Sequence, residues 1–228
     1  RAKQSATYYT PAERQNAMNN INEGYSWAVA AKNSAVAAAD IYTQKTFDDL
    51  WDMVTPESIN RDMGMALQSL SNAYLYTGDA KYGKAGLVLL DRVADIYPEM
   101  EFTGTAEECG LEQILAKAYD AFYPVVDDPA VIAFLSEKAA AYQLQNPKAY
   151  GGWICKNIED RILRQIRVLS DDPQMMDNFG MQQAALATAA VVLDSKPETA
   201  GWLDFVFKTG EAADGKAAGG NISSWLAD

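Results

Sequence analysis

Apolar residues recur along most of this chain at the spacing expected for α-helices. Those within residues 65–76 line one face of a predicted helix, and residues 82–97 repeat the pattern after a turn at residues 77–79. Gly78, in that turn, suits the left-handed conformation that commonly ends a helix. The two segments therefore predict a helical hairpin. No stretch alternates apolar and polar residues over a convincing strand length, so no β-sheet is predicted.

Helix starts are marked by capping boxes, in which a Ser or Thr is followed three positions later by Glu. The chain contains such pairs at Thr10 and Glu13, Thr105 and Glu108, and Ser195 and Glu198. Asp128 and Pro129 begin a helix expected to reach about Leu144, and residues 153–169 also have helical spacing. Short loops join roughly ten predicted helices, so most neighbours are antiparallel. The sequence predicts an all-α fold, with residues 1–228 as a single helical domain.

Composition narrows the class of protein. Hydrophobic residues make up 49% of the 228 residues, which indicates a globular chain, and no apolar run is long enough to span a membrane. The net charge of −12 argues against nucleic acid and anionic membranes as partners, because both repel an acidic surface. The chain has no His, and Cys109 and Cys155 are far apart, so no metal site and no cofactor are predicted. The sequence leaves open whether the two cysteines pair.

A polar segment followed by an Ala-rich helix occupies residues 177–194, and a second predicted helix follows at residues 201–207. Asn178 lies in the polar start. These residues resemble the central helices of the heparinase II/III-like polysaccharide lyases. Other segments resemble the same family in the same order, at residues 9–14, 25–28, 35–40, 49–56, 73–82 and 115–124. Their order over most of the chain carries the resemblance, since no single segment is specific.

The resemblance implies an incomplete α/α toroid of antiparallel helical hairpins. It also implies a bacterial polysaccharide lyase, periplasmic or secreted, that cleaves a uronate-containing acidic polysaccharide or oligosaccharide by β-elimination. No signal-peptide pattern precedes the first predicted helix. In the family, a catalytic tyrosine and a β-sandwich domain lie beyond the point that corresponds to Asp228. We therefore expect an excerpt or a shortened form of a larger lyase, inactive or nearly so by itself.

Asn178 is the catalytic candidate that the resemblance implies. Its side-chain amide suits hydrogen bonding to the C5 carboxylate of a uronate, which must be neutralised before the C5 proton is removed. The alternative is an N-cap of the helix that begins at Phe179, and one residue can do both. We expect Asn178 to lie at the N-terminal end of that helix and to face a concave groove. Gln182 occupies the slot in which relatives carry His, and Gln183 is a candidate for binding sugar hydroxyls, although Gln is no base near neutral pH.

Residues 150–167 supply further candidates for substrate binding. Tyr150 and Trp153 lie beside a Gly-Gly loop and are candidate stacking platforms for sugar rings. Arg161 and Arg164 belong to a basic cluster that suits a carboxylate or sulfate. The alternative, which we favour, is a solvated helix face whose cations pair with neighbouring carboxylates. The remaining members of the cluster and its neighbouring carboxylates are Lys156, Arg167, Glu159 and Asp160.

Two other classes of function stay open at the level of sequence. Residues 73–97 are also typical of a non-catalytic helical scaffold, of the TPR-like or carbohydrate-binding type. Glu107, Glu108 and Glu112 offer carboxylates for an α/α-toroid glycoside hydrolase. Product chemistry separates these classes, because a lyase forms an unsaturated sugar that absorbs in the ultraviolet and a hydrolase forms a new reducing end without it. A scaffold forms neither.

Overall fold

The structure is a computed structural model that describes residues 3–176 and 179–208, and every regular element within these ranges is helical. The predicted all-α class is therefore confirmed. The catalytic candidate Asn178 lies outside the described residues, as do residues 209–228. In chain order the helices are α1 (Pro11–Asn22), α2 (Ser26–Thr43), α3 (Phe47–Asp52), α4 (Arg61–Thr77), α5 (Ala80–Ile96), α6 (Ala106–Phe122), α7 (Pro129–Ala141), α8 (Gly151–Ile158), α9 (Arg164–Leu169), α10 (Pro173–Met176), α11 (Phe179–Leu193) and α12 (Glu198–Phe207).

Two of the three predicted capping boxes form. The hydroxyl of Thr10 accepts from the backbone N–H of Glu13 at 3.3 Å, while the carboxylate of Glu13 accepts from the Thr10 N–H at 3.0 Å. Thr105 and Glu108 make the same reciprocal pair at the start of α6. Asp128 caps α7 through its side chain, although that helix ends at Ala141, earlier than predicted. Local sequence signals therefore locate these helix starts well.

The third capping box, at Ser195 and Glu198, was predicted wrongly. Helix α12 begins at Glu198 itself, after Pro197, and no side chain caps it. The carboxylate of Glu198 instead accepts from the guanidinium of Arg164 at 2.8 and 2.9 Å. A two-pronged, charge-assisted ion pair is stronger than a hydrogen bond to a backbone N–H, so the distant partner takes the side chain.

The predicted hairpin is formed by α4 and α5. Gly78 has a φ of 69° and ends α4 by donating its N–H to the carbonyl of Tyr74 at 2.8 Å. Asp79 then caps α5 by accepting from the N–H of Lys81 at 3.0 Å. Farther along α5, a Cβ at Gly86 would lie only 2.1 Å from the ring of Phe122, so the glycine lets α5 and α6 approach closely.

The helices pack in two layers. In the first layer α2, α4, α6 and α11 lie side by side, each in contact with the next. In the second layer α5 contacts both α3 and α8, and it also packs onto α4 and α6 of the first layer. Helices α9 and α12 both pack against α11. The buried side chains of the two layers form one continuous hydrophobic core, which fixes how α8 and α9 sit against α5 and α11.

The first described residues are held against α6 by one buried carboxylate. Asp120 accepts from the backbone N–H groups of Thr7, Tyr8 and Tyr9 at 2.8, 3.0 and 2.7 Å. It also pairs with the ammonium of Lys3 at 2.7 Å, and both side chains are fully enclosed. Because a buried carboxylate needs several donors, this one residue fixes the path of the segment before α1.

Candidate functional site

Two adjoining cavities open along the first turns of α8. We name the larger one, of about 450 Å³, the Trp153 cavity, and the smaller one, of about 350 Å³, the Tyr150 cavity. Both share Trp153, Lys156 and Asp160 in their walls. The Trp153 cavity is further lined by Arg161 and Asn157, and the Tyr150 cavity by Tyr150, Glu159 and Arg164.

Four of the predicted substrate-binding residues are therefore brought together here. The rings of Tyr150 and Trp153 meet edge to face with their centroids 6.1 Å apart. Arg161 lies in the wall of the Trp153 cavity and Arg164 in the wall of the Tyr150 cavity. Sequence proximity on one helix accounts for this grouping, because residues three or four positions apart share a helix face.

The arginines of this region already have partners. Arg161 donates to the backbone carbonyls of Ala94 and Asp95 at 2.9 and 2.8 Å, where α5 ends and its last carbonyls need donors. Arg164 pairs with Glu198, as described above, and with Asp160 one turn away. This arrangement matches the alternative in which the cations are paired on a helix surface, and it leaves neither guanidinium uncommitted for a sulfate or a carboxylate.

Beneath the Trp153 cavity lies a buried charged cluster. The ammonium of Lys148 contacts Asp91 at 2.5 Å and Asp95 at 2.7 Å, and the side chain is fully enclosed. Burial raises the pKa of Asp91 to about 6, although Lys148 opposes that rise. Burial alone would lower the pKa of Lys148, but the two carboxylates outweigh it and raise it. The amide of Asn157 donates to both carboxylates and completes the cluster.

The helix that carries these residues is interrupted by a π-helical turn at Glu159–Leu163, between α8 and α9. Such turns are rare and occur often at functional sites. Glu159, at its start, accepts from the hydroxyl of Tyr119 at 2.6 Å. Burial raises the pKa of Glu159, and the hydrogen bond from Tyr119 partly opposes the rise. The sequence predicted a continuous helix here and gave no sign of the π-helical turn.

Gln182 and Gln183 lie elsewhere, in the core between α11 and its neighbours. Both side chains are enclosed, so neither reaches a surface on which a polysaccharide could lie. Gln182 donates its amide to the hydroxyl of Ser170 at 3.0 Å, at the end of α9. It also approaches the carbonyl of Ile166. With a rise of about 1.5 Å per residue, Ile166 lies roughly 20 Å along the helix from Trp153. The predicted site residues are thus divided between two places.

A buried carboxyl group faces Gln182. Glu112, on α6, is fully enclosed, and burial raises its pKa to about 8. Gln182 and Tyr97 lie close enough to lower that pKa partly, but neither is aligned for a full hydrogen bond. We name these three residues the Glu112 cluster. Sequence reasoning overlooked the cluster as a buried site, although a carboxylate among the apolar positions of α6 was a usable signal.

Three further observations concern the cysteines, possible metal ligands and possible membrane-spanning helices of the described residues. Cys109 and Cys155 are both buried and free of disulfide bonds. Within residues 3–176 and 179–208, no three carboxylates or cysteines group as metal ligands would. Over the same residues no helix combines the length and apolar character needed to cross a membrane. In comparisons with family models, curated proteins and solved structures, nothing matches this chain.

Proposed function

We propose that this chain is the helical part of a polysaccharide lyase of the heparinase II/III-like type, an incomplete α/α toroid that holds a uronate-containing polysaccharide. The observation that carries the proposal is the Glu112 cluster. It lies at the first turn of α11, which begins at Phe179, directly after Asn178 in the chain. Incompletely paired polar groups are rare in protein cores, and carboxyl groups with shifted pKa values concentrate at functional sites.

The architecture supports the same proposal. Behind the first layer, α2, α4, α6 and α11, the second-layer helix α5 packs onto α4 and α6 and carries α3 and α8 beside it. The hairpin of α4 and α5 supplies one helix to each layer, which is the repeating unit of a toroid of helical hairpins. Four adjacent first-layer helices then correspond to an arc rather than to a closed ring.

The proposed chemistry assigns each residue a limited role. A uronate lyase removes the C5 proton and expels the C4 oxygen, and the charge that develops at the C5 carboxylate must be stabilised. Asn178 supplies that stabilisation through its side-chain amide. Gln182 acts as neither an acid nor a base near neutral pH, and Glu112 is enclosed, so the cluster positions the first turn of α11. Because no acid or base is assigned within the chain, we propose that β-elimination is not completed by this chain alone.

The hydrolase alternative finds less support in the three candidate carboxylates. Glu112 is enclosed, and Glu108 is occupied by its capping box with Thr105. Glu107 accepts from the backbone N–H of Arg61 at 3.2 Å. A hydrolase needs two carboxyl groups that face each other across an open site, and these three do not share one.

The proposal is tested by incubating the chain with alginate, heparan sulfate and hyaluronate. We expect at least one of them to bind, with neither ultraviolet absorbance nor new reducing ends. New reducing ends without absorbance would instead identify a hydrolase. Absence of binding to all three polymers would reject the lyase proposal. Robust absorbance that is abolished in Asn178→Ala would show that the chain does contain its acid and base.

A further inference from the structure

The Trp153 cavity has an unsatisfied hydrogen-bond acceptor in its wall. Asn157 is 2% exposed, and its Nδ2 donates to Asp91 at 2.9 Å and to Asp95 at 3.0 Å. These contacts fix which end of the amide is nitrogen, because an ionised carboxylate accepts hydrogen bonds and cannot donate them. The Oδ1 atom must therefore accept, yet no described residue donates to it. An enclosed acceptor without a donor costs about 1–3 kcal/mol. Because Oδ1 is itself enclosed, a ligand hydroxyl reaches it only after a small shift of the Asn157 side chain, and the new hydrogen bond would then stabilise this wall.

The charged groups around the cavity carry no excess of positive charge. Arg161 donates to two carbonyl oxygens at the end of α5, at 2.9 and 2.8 Å, and lies 3.8 Å from Glu99. In and beneath the wall, three cations face four carboxylates: Lys148, Lys156 and Arg161, and Asp91, Asp95, Glu99 and Asp160. No excess positive charge remains to attract a carboxylate or a sulfate, so the cavity favours an uncharged ligand.

The remaining wall suits a polyhydroxylated molecule. Trp153 presents a half-buried indole ring, against which the flat C–H face of a sugar can stack. Gln143 and Gln145 add amide groups that both donate and accept. Asn146 donates to the carbonyl of Trp153 at 2.7 Å and fixes the loop against α8. A volume of about 450 Å³ falls within the usual size of small-molecule sites.

We propose that the Trp153 cavity binds an uncharged sugar unit, whose ring stacks on Trp153 and whose hydroxyl group donates to Oδ1 of Asn157. Trp153 lies roughly 20 Å along the helix from Ile166, which Gln182 approaches, and no residue of the Glu112 cluster lines this cavity. It does not depend on the lyase proposal. In this proposal the protein holds a neutral glycan at α8, in the second layer of helices, and any acidic substrate binds at α11.

The test is calorimetric titration with cellohexaose, mannohexaose and xylohexaose, and with hexamannuronate as the charged comparator. We expect at least one neutral hexasaccharide to bind, and Trp153→Ala to weaken that binding tenfold or more. Trp27→Ala is the matched control, because Trp27 is 66% exposed on α2 and its loss should leave the affinity unchanged. Lys156→Gln removes a cation of the cavity wall, at a side chain that is 58% exposed, and therefore reports whether a charged ligand enters the cavity.

Three results would overturn the proposal. The first is that no neutral hexasaccharide binds the unchanged chain. The second is that Trp153→Ala binds the neutral hexasaccharide as well as the unchanged chain does, with circular dichroism confirming that both are folded. The third is that Trp153→Ala and Lys156→Gln both weaken hexamannuronate instead, which would make the cavity a subsite for the acidic polymer. The first two results would not bear on whether Asn178 governs uronate binding, so the two proposals fail separately.

Discussion

The ammonium of Lys148 lies 2.7 Å from the carboxylate of Asp95, and the Lys148 side chain is fully enclosed beneath the Trp153 cavity. Lys148 comes from the loop before α8, while Asp95 comes from the end of α5. The same ammonium also contacts Asp91, so one cation holds two carboxylates of α5. This ion pair fixes the loop that forms one wall of the cavity.

We predict that Lys148→Met destabilises the fold by about 3–5 kcal/mol, because it leaves two enclosed carboxylates without their cation. Urea denaturation at pH 7 measures the loss. Lys81→Met is the matched control, since Lys81 pairs with Asp79 at 3.7 Å with both side chains half exposed. That change should cost less than about 1 kcal/mol. Equal effects of the two substitutions would mean that the buried cluster contributes little.

Glu112 predicts a pH dependence of stability. The folded chain keeps a proton on Glu112 up to about pH 8, whereas the unfolded chain loses it near the ordinary pKa of 4.5. The contribution of Glu112 to the free energy of unfolding is therefore fully present below pH 4.5. It is lost as the pH rises to about 8, at up to about 1.4 kcal/mol for each pH unit.

We predict that Glu112→Gln removes this slope and leaves the chain more stable than the original at pH 8, because an amide of similar shape has no proton to lose. Thermal unfolding of both chains from pH 5 to pH 9 measures the difference. Glu137→Gln, at an exposed position of α7, serves as the matched control. A Glu112→Gln chain whose stability falls with pH as steeply as that of the original would contradict the prediction.

Arg164 and Glu198 predict an energetic link between α9 and α12. Their two hydrogen bonds, at 2.8 and 2.9 Å, should give a coupling free energy of about 1 kcal/mol, because both side chains are still one-third exposed. A double-mutant cycle of Arg164→Ala and Glu198→Ala measures it. Additive losses would show that the pair does not couple the two helices.

The features that sequence predicted well depend on neighbouring residues. Thr10 and Thr105 begin their helices through partners only three positions away, and Gly78 ends α4 through its own backbone conformation. Tyr150 and Trp153 lie together because they are three positions apart at the start of α8, where Tyr150 is the N-cap. The prediction for Ser195 failed because the partner of Glu198 is Arg164, which lies 34 positions away.

The candidate site was harder to predict because its geometry depends on packing between helices. The position of Gln182 in the sequence pattern does not show whether it lies on the surface or in the core. Only the packing of α11 against α6 and α9 encloses it. Lys148 belongs to a segment rich in polar residues, and nothing in that local sequence indicates that its side chain is buried. The unpaired oxygen of Asn157 follows from contacts with Asp91 and Asp95, more than 60 positions away.

The role of Asn178 is the central claim of the lyase proposal, and two substitutions distinguish it from helix capping. Asn and Asp are nearly equal as N-caps, so Asn178→Asp should preserve stability, while Asn178→Ala should cost about 0.5–2 kcal/mol if the residue caps α11. The expected order of affinities for a uronate is different from this order of stabilities. Asp at position 178 would bind more weakly than Ala, because Asp repels the C5 carboxylate that the amide of Asn stabilises. Loss of a hydrogen bond to a charged group costs about 1.5–3 kcal/mol, or roughly tenfold or more in affinity.

The decisive measurement is the affinity of the chain for whichever of alginate, heparan sulfate and hyaluronate it binds most tightly, determined by calorimetry for the original, Asn178→Ala and Asn178→Asp. We predict measurable binding by the original chain, at least tenfold weaker binding by Asn178→Ala and still weaker binding by Asn178→Asp, although Asn178→Asp remains as stable as the original. Equal affinity in all three chains, or no binding of any of the three polymers by the original, would contradict the assignment of Asn178 as the group that neutralises the uronate carboxylate.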